Sequence, residues 1–124
     1  MNGIKLRGLG RCVPAQSVTN DDLAKTVDTS DAWITARTGI RSRRRCTEET
    51  HTELCVTAAR RALAQAGITP ADIGACIVAT VSADTIVPSA ACMLQRDLGM
   101  PEDTPCFDLN AACTGFIYAL HTME

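Results

Sequence analysis

Aromatic side chains are nearly absent from this chain, with two Phe, one Tyr and one Trp among 124 residues. So few flat rings weaken any stacking platform for nucleic-acid bases, and a formal net charge of −2 argues against a general polyanion binder. Histidine is scarce too: His51 and His121 are the only imidazoles, and no Cys, His or carboxylate cluster stands at metal-ligand spacing. No apolar run approaches the length of a membrane helix, and no signal-peptide core follows Met1-Asn2-Gly3-Ile4-Lys5. These absences predict a soluble cytoplasmic protein whose partners are small molecules or proteins, with no metal, no nucleic acid and no membrane among them.

Cysteine, in contrast, is plentiful, at positions 12, 46, 55, 76, 92, 106 and 113. The odd count, the irregular spacing and the lack of any C-x-x-C exclude a regular disulfide framework. Several lie in apolar runs such as Ala75-Cys76-Ile77-Val78, where a reduced cysteine acts as a small hydrophobe. Cys113 has a different address. Asp108-Leu109-Asn110-Ala111-Ala112-Cys113-Thr114-Gly115-Phe116 reads as a buried strand that delivers a cysteine onto a helix start through small residues. Unpaired N–H groups and the positive end of the helix dipole favour a thiolate there, and Ala111, Ala112 and Gly115 leave room for a sharp turn and a closely approaching substrate. This is the logic of a nucleophile elbow with sulfur in place of oxygen. The pattern alone leaves open a second reading, a core cysteine.

The rest of the chain predicts an α/β fold. Ile4–Gly10 alternates like a strand entering a tight turn. Thr19 with Asp22 caps a short helix to about Val27, Ser30 caps a second that carries Trp33 and ends at Gly39, and Thr50 with Glu53 opens a longer one ending at Gly67. That helix aligns Leu54, Ala58, Ala62 and Ala66 on one face and turns Arg60 and Arg61 to solvent. Cys76–Val81 is the continuous apolar run of a strand covered on both faces; Pro88-Ser89 introduces an alanine-rich helix ending at Gly99, and Pro105–Leu109 is the next strand. Right-handed crossovers would make a mainly parallel sheet, with ligands beyond the carboxyl ends of its strands, where Cys113 lies. No linker or repeat divides the chain, which reads as one unit. The last helix meets no stop signal before Glu124 and is expected to belong to a larger fold whose open sheet edge needs a partner segment or a second copy.

Three motifs carry competing meanings. Gly8-Leu9-Gly10 lacks the third glycine of a dinucleotide fingerprint, since Val13 stands there. Arg41-Ser42-Arg43-Arg44-Arg45, with Arg37 upstream, is either a solvated face or a dock for phosphates or an acidic protein. Trp33 and Arg37, at i and i+4 on one helix, either pack in the core or hold a flat heteroaromatic ring between indole and guanidinium. His51 and His121 are both poorly placed to serve Cys113 as general base.

Taken together, Thr29-Ser30-Asp31-Ala32-Trp33-Ile34, Arg37-Thr38-Gly39-Ile40-Arg41, Pro88-Ser89-Ala90-Ala91-Cys92 and the segment 108–116 resemble β-ketoacyl-acyl-carrier-protein synthase III. The resemblance implies a thiolase-like α-β-α-β-α fold, of which residues 1–124 would be the N-terminal portion with a mainly parallel mixed sheet and covering helices. It implies that Cys113 takes the acyl group of acetyl-CoA or another short acyl-CoA, and that malonyl-acyl carrier protein then condenses with loss of CO2. Coenzyme A enters as substrate, with no cofactor. Trp33 and Arg37 would hold its adenine end, with Thr29 nearby among the coenzyme A-binding residues, and Val87 would stand where some members place a larger aromatic residue lining the acyl pocket across a homodimer interface. The decarboxylating His and Asn of the family come from its C-terminal half, so the chain alone is expected not to complete condensation. A related thiolase-like acyltransferase of polyketide or secondary metabolism, and a non-catalytic dimerising fragment, remain as alternatives.

Overall fold

The computed structural model describes residues 3–124 and divides them into two compact units: Val13–Glu49, and the described residues up to Cys12 together with Thr50–Glu124. Met1 and Asn2, which open the predicted N-terminal portion, lie outside the described residues.

The inserted unit contains β1 (Gln16–Thr19), α1 (Asn20–Ala24), α2 (Asp31–Thr38) and β2 (Ser42–Arg45). Its helix starts follow the local signals. Thr19 and Asp22 form a reciprocal capping box, the Ser30 hydroxyl accepts from Trp33 N, and Gly39 closes α2 at φ 72°. The basic run is an antiparallel strand paired from Gln16↔Arg45 to Thr19↔Ser42. Asn20, only 1% exposed, ties the pieces together. Its Nδ2 donates to Asp31 Oδ1 and to the Ile40 carbonyl, both at 2.7 Å, while its Oδ1 accepts from Arg43 Nη2 at 2.8 Å. Arg44 Nη1 donates to the Ala15 carbonyl at 2.8 Å. Two arginines of the cluster thus serve the unit's own backbone and hub.

Glu49 closes the unit at its far end, accepting from Ala15 N at 2.9 Å and from Thr47 N at 3.1 Å. These backbone bonds, that from Ala15 foremost, hold its carboxyl down at about 2 from an ordinary 4.5. The unfolded chain therefore binds the extra proton between those values. The stabilisation is complete above about pH 4.5 and is lost as pH falls toward 2. Melts recorded across that window should show stability falling with acid, and Glu49→Gln should flatten the slope; an equal slope in the variant would remove Glu49 from the account.

The other unit carries α3 (His51–Ala66), a 3-10 turn at Pro70–Asp72, β3 (Cys76–Ala79), α4 (Ala90–Leu98), β4 (Cys106–Leu109), a second 3-10 turn at Ala112–Thr114 and α5 (Gly115–Thr122). The predicted box of Thr50 and Glu53 opens α3, and Gly67 at φ 69° ends it. β3 and β4 are the parallel pair the crossover argument requires, in register from Cys76↔Cys106 to Ala79↔Leu109. Val56, Val78, Ala90, Ala91 and Leu94 form the core where α3 and α4 cover that pair. All seven cysteines are free thiols. Burial pushes the Cys76 thiol up to about 11 and raises those of Cys55 and Cys106, which disfavours the thiolate at all three.

Ile4–Gly10, expected as a strand, makes no ladder. Side chains of α3 take up its backbone instead: Leu9 N donates to Gln65 Oε1, and Arg61 Nη1 donates to the Arg11 carbonyl. The approach is so close that a Cβ on Gly10 would run into the Ala58 carbonyl oxygen and stand 2.6 Å from Ala62 N. Close packing, and no phosphate turn, requires this glycine. Gly10→Ala should cost about 2–4 kcal/mol in urea unfolding. An unshifted midpoint would mean that the segment is not seated on α3. Among the described residues no helix is long and apolar enough to cross a membrane.

Candidate active site

β4 ends at Leu109, and the chain then turns within three residues. Ala111 is at φ −140°, and Ala112 stands in the left-handed region at φ 44°, where a Cβ crowds the backbone and few residues besides glycine are at ease. The 3-10 turn follows, and α5 begins at Gly115. Cys113 is thereby placed, exposed, between a strand end and a helix start. Alanine is the smallest side chain that keeps a defined turn there. Gly115 serves a different purpose from the one its position suggests: at φ −52° it makes no turn, but a Cβ on it would stand 3.3 Å from Ala79 Cβ, so its smallness lets α5 lie on β3.

Asp108 fixes the strand that carries this turn. Its two carboxylate oxygens accept from Ala90 N and Ala91 N, each at 2.8 Å, so β4 grips the first turn of α4, where unpaired N–H groups and the helix dipole favour an anion. The sequence displays this aspartate without revealing the role, because its partners lie on another element.

Cys113 opens onto a cavity of about 780 Å³. Ile77 of β3, Leu94 of α4 and Phe116 and Leu120 of α5 give it apolar walls, and Cys55 of α3 also faces it. The volume is in the range of small-ligand sites, and apolar walls suit an acyl chain better than a charged group. His51 lies elsewhere in its contacts: its ring is 3.7 Å from Cys55 Sγ and 3.3 Å from Thr80 Oγ1. His121, at the end of α5, is exposed and 3.8 Å from Glu124 Oε2.

Asp84, which no sequence signal marks, clamps the start of α3. Its carboxylate accepts from His51 N at 3.0 Å, Thr52 N at 2.8 Å and the Thr52 hydroxyl at 2.7 Å. Bonding from Thr52 foremost lowers its pKa. Val87 follows on the same loop, 84% exposed and outside the walls of the Cys113 cavity.

The remaining candidates belong to the inserted unit. Trp33 is 53% exposed, which removes the core reading. The Arg37 guanidinium covers one face of its ring at 4.2 Å, and Arg37 Nη1 donates to the Trp33 carbonyl at 3.3 Å. A ring held between them would need roughly 7 Å, two van der Waals spacings. A heteroaromatic ligand must therefore stack on the other indole face or displace the guanidinium. Thr29 Oγ1 is buried without a hydrogen-bond partner among the described residues, an unmet polar demand of the kind a ligand can satisfy. Cys113 and Val87 thus lie in one unit, and Thr29, Trp33 and Arg37 in the other.

No family model matches the chain. It is 49% identical over 122 residues to a β-ketoacyl-[acyl-carrier-protein] synthase III of Clostridium acetobutylicum, which covers 98% of this chain and 37% of that protein. The crystal structure of 3-oxoacyl-[acyl-carrier-protein] synthase III from Aquifex aeolicus superposes with a TM-score of 0.94 at 44% identity, over 98% of this chain and 39% of that one. The priming β-ketosynthase of the R1128 polyketide biosynthetic pathway is also similar, with a TM-score of 0.87 and 38% identity over 95% of this chain and 35% of that one. The chain spans little more than a third of the length of these relatives.

Proposed function

We propose, for a chain that carries the sequence and thiolase-like fold of the β-ketoacyl-[acyl-carrier-protein] synthase III enzymes over the third of their length it spans, that Cys113 is the nucleophile that accepts a primer acyl group from coenzyme A. The observation that carries this reading is the left-handed Ala112, which sets the one exposed thiol of its unit at a helix start and at the mouth of an apolar cavity. The Cys113 thiolate attacks the thioester carbonyl, the tetrahedral intermediate collapses, and the coenzyme A thiolate leaves, so that one C–S bond forms as another breaks. The product is an acyl-enzyme. Malonyl on acyl carrier protein then loses CO2 and its carbanion attacks the acyl carbonyl, so that a C–C bond forms as the acyl–sulfur bond breaks, the Cys113 thiolate leaves and β-ketoacyl-acyl carrier protein is the product, with a His and an Asn from the part of the relatives that this chain does not span.

Trp33 offers its open indole face to the adenine, Arg37 stiffens the indole from behind, and the orphan hydroxyl of Thr29 finds a polar partner in the ligand. The exposure of Val87 suits a residue that reaches into the acyl pocket of a second copy rather than its own. Its small size favours primers longer or more branched than acetyl. Together with the similarity to a polyketide-priming ketosynthase, it supports a second reading in secondary metabolism. A primer series separates the two, since strict preference for acetyl would count against the second.

The test uses a hybrid in which this chain replaces the 122 matched residues of the Clostridium acetobutylicum protein. After incubation with acetyl-CoA, intact mass under denaturing conditions should show one acetyl on the hybrid and none on Cys113→Ser. A folded hybrid that stays unmodified, or a serine variant that still gains the acetyl, would overturn the proposal.

A further inference from the structure

The loop between β3 and α4 combines two features that rarely occur together. Its tip is apolar and open, with Ile86 94% and Val87 84% exposed. Loops of that exposure are ordinarily mobile, and mobile tips are ordinarily polar. Yet this one is held at three places. Thr80 N donates to the Leu109 carbonyl at 3.1 Å, and the Thr80 hydroxyl meets His51 Nε2 at 3.3 Å, which pins the start. Asp84 is bound to the first turn of α3 by three hydrogen bonds, which pins the middle. Asp108 grips Ala90 N and Ala91 N, directly after Pro88 and Ser89, which pins the end. Thr85 Oγ1 donates to the Pro88 carbonyl at 2.8 Å and shapes the span between.

Of the three anchors, Asp84 is the one with no part in the core or in the strand that carries Cys113. Its three bonds span 32 and 33 residues of sequence and tie the loop to α3 and to nothing else. A carboxylate that accepts two backbone N–H groups and a hydroxyl has little freedom to swing. Two residues later the chain presents Ile86 and Val87 to solvent.

We propose that Asp84 is a positioning residue for primer length: its clamp on the first turn of α3 fixes how far the Ile86–Val87 tip reaches, so that Val87 closes the acyl pocket of a second copy at a set depth. The inference rests on the reading of Val87 as an acyl-pocket residue. Asp84 touches neither substrate nor Cys113; it acts through the reach of the tip. Released from α3, the tip yields to a longer chain, and discrimination between acetyl and longer primers falls.

The experiment compares three variants in the hybrid, each assayed with acetyl-CoA and hexanoyl-CoA. Asp84→Asn keeps the size but turns an amide N–H toward the donors it should accept from; Thr52→Val deletes one donor and leaves Asp84 intact. Each should raise the hexanoyl-to-acetyl ratio of kcat/KM, by about five- to tenfold for Asp84→Asn and less for Thr52→Val. The change should fall mainly in KM for hexanoyl-CoA. General loss of stability would lower both substrates together and leave the ratio untouched. Val87→Phe is the control for the underlying reading and should shift the ratio toward acetyl. If Val87→Phe shifts it and both anchor variants leave it unchanged, the positioning role of Asp84 is overturned while the pocket reading stands. If Val87→Phe has no effect, the pocket reading fails and the proposal fails with it.

Discussion

Replacing Ala112 with valine should lower acylation of Cys113 by about 100-fold or more while leaving the rest of the unit folded. The expectation follows from φ 44° at that residue. Alanine tolerates the left-handed region at some cost, whereas a β-branched side chain there meets the following carbonyl and adds strain of about 1–2 kcal/mol or more. The turn has a cheaper option than bearing that strain. It can rotate residue 112 back to negative φ, and the thiol then leaves the helix start and the cavity. Displacement of a reacting atom by an ångström is enough for a loss of that order. Ala112→Gly supplies the control, because glycine occupies the same region without strain and should keep the rate within about threefold of the parent. Burst amplitude and rate in single-turnover acylation of the hybrid report the result. A valine variant that acylates at the parental rate would show that the position of Cys113 does not depend on this turn.

Asn20→Leu should unfold the inserted unit, with a loss of about 3–5 kcal/mol. Asn20 is fully buried and satisfied from both ends of its amide. Leucine fills a similar volume but removes the 2.8 Å acceptor of the Arg43 guanidinium, leaving it the Val18 carbonyl at 3.3 Å, and the 2.7 Å donor to the Ile40 carbonyl, leaving it the Thr35 hydroxyl at 3.4 Å. Uncompensated buried polar groups are costlier than lost contacts. The hydrogen bonds of the Cys113 unit do not involve Asn20. Binding of coenzyme A to the Trp33 face should therefore disappear while Cys113 remains open to alkylation. Amide exchange resolved by peptide, together with a thiol-labelling rate, separates the two effects. Slow exchange retained across 13–49 would mean that the hub is dispensable.

These two residues also mark where the sequence could be read and where it could not. The turn before Cys113 is legible because it is local: small residues between an apolar strand and a helix leave few other shapes. The helix boundaries are legible for the same reason, as Thr19 with Asp22, Thr50 with Glu53, and Gly39, Gly67 and Gly99 act within one turn of themselves. Asn20 gives no such sign. Its partners stand 11, 20 and 23 residues away, so only the folded chain reveals that an ordinary polar residue is a hub. Asp84 and Asp108 are hidden likewise. Ile4–Gly10 misleads in the opposite direction, since alternation signals an extended chain but does not say whether strands or the side chains of a helix will take up its backbone. Trp33 and Arg37 fall between these cases: helical spacing puts them on one face, but whether they touch or leave a gap is decided by a rotamer.

The parallel pairing of β3 with β4 has a consequence for how the protein comes into being. Parallel neighbours cannot be joined by a tight hairpin; the chain must first travel out through the loop and α4 and return. Asp108 meets Ala90 N and Ala91 N across 18 and 17 residues, and β3 meets β4 across the longer span from Cys76 to Cys106. Contacts of such long sequence separation form late, because the chain loses its freedom before they repay it. During synthesis or refolding the capped helices can flicker into existence early, but the seat of Cys113 cannot. The acylation proposed for Cys113 would then be among the last properties acquired, after the strand pair that carries its turn has closed.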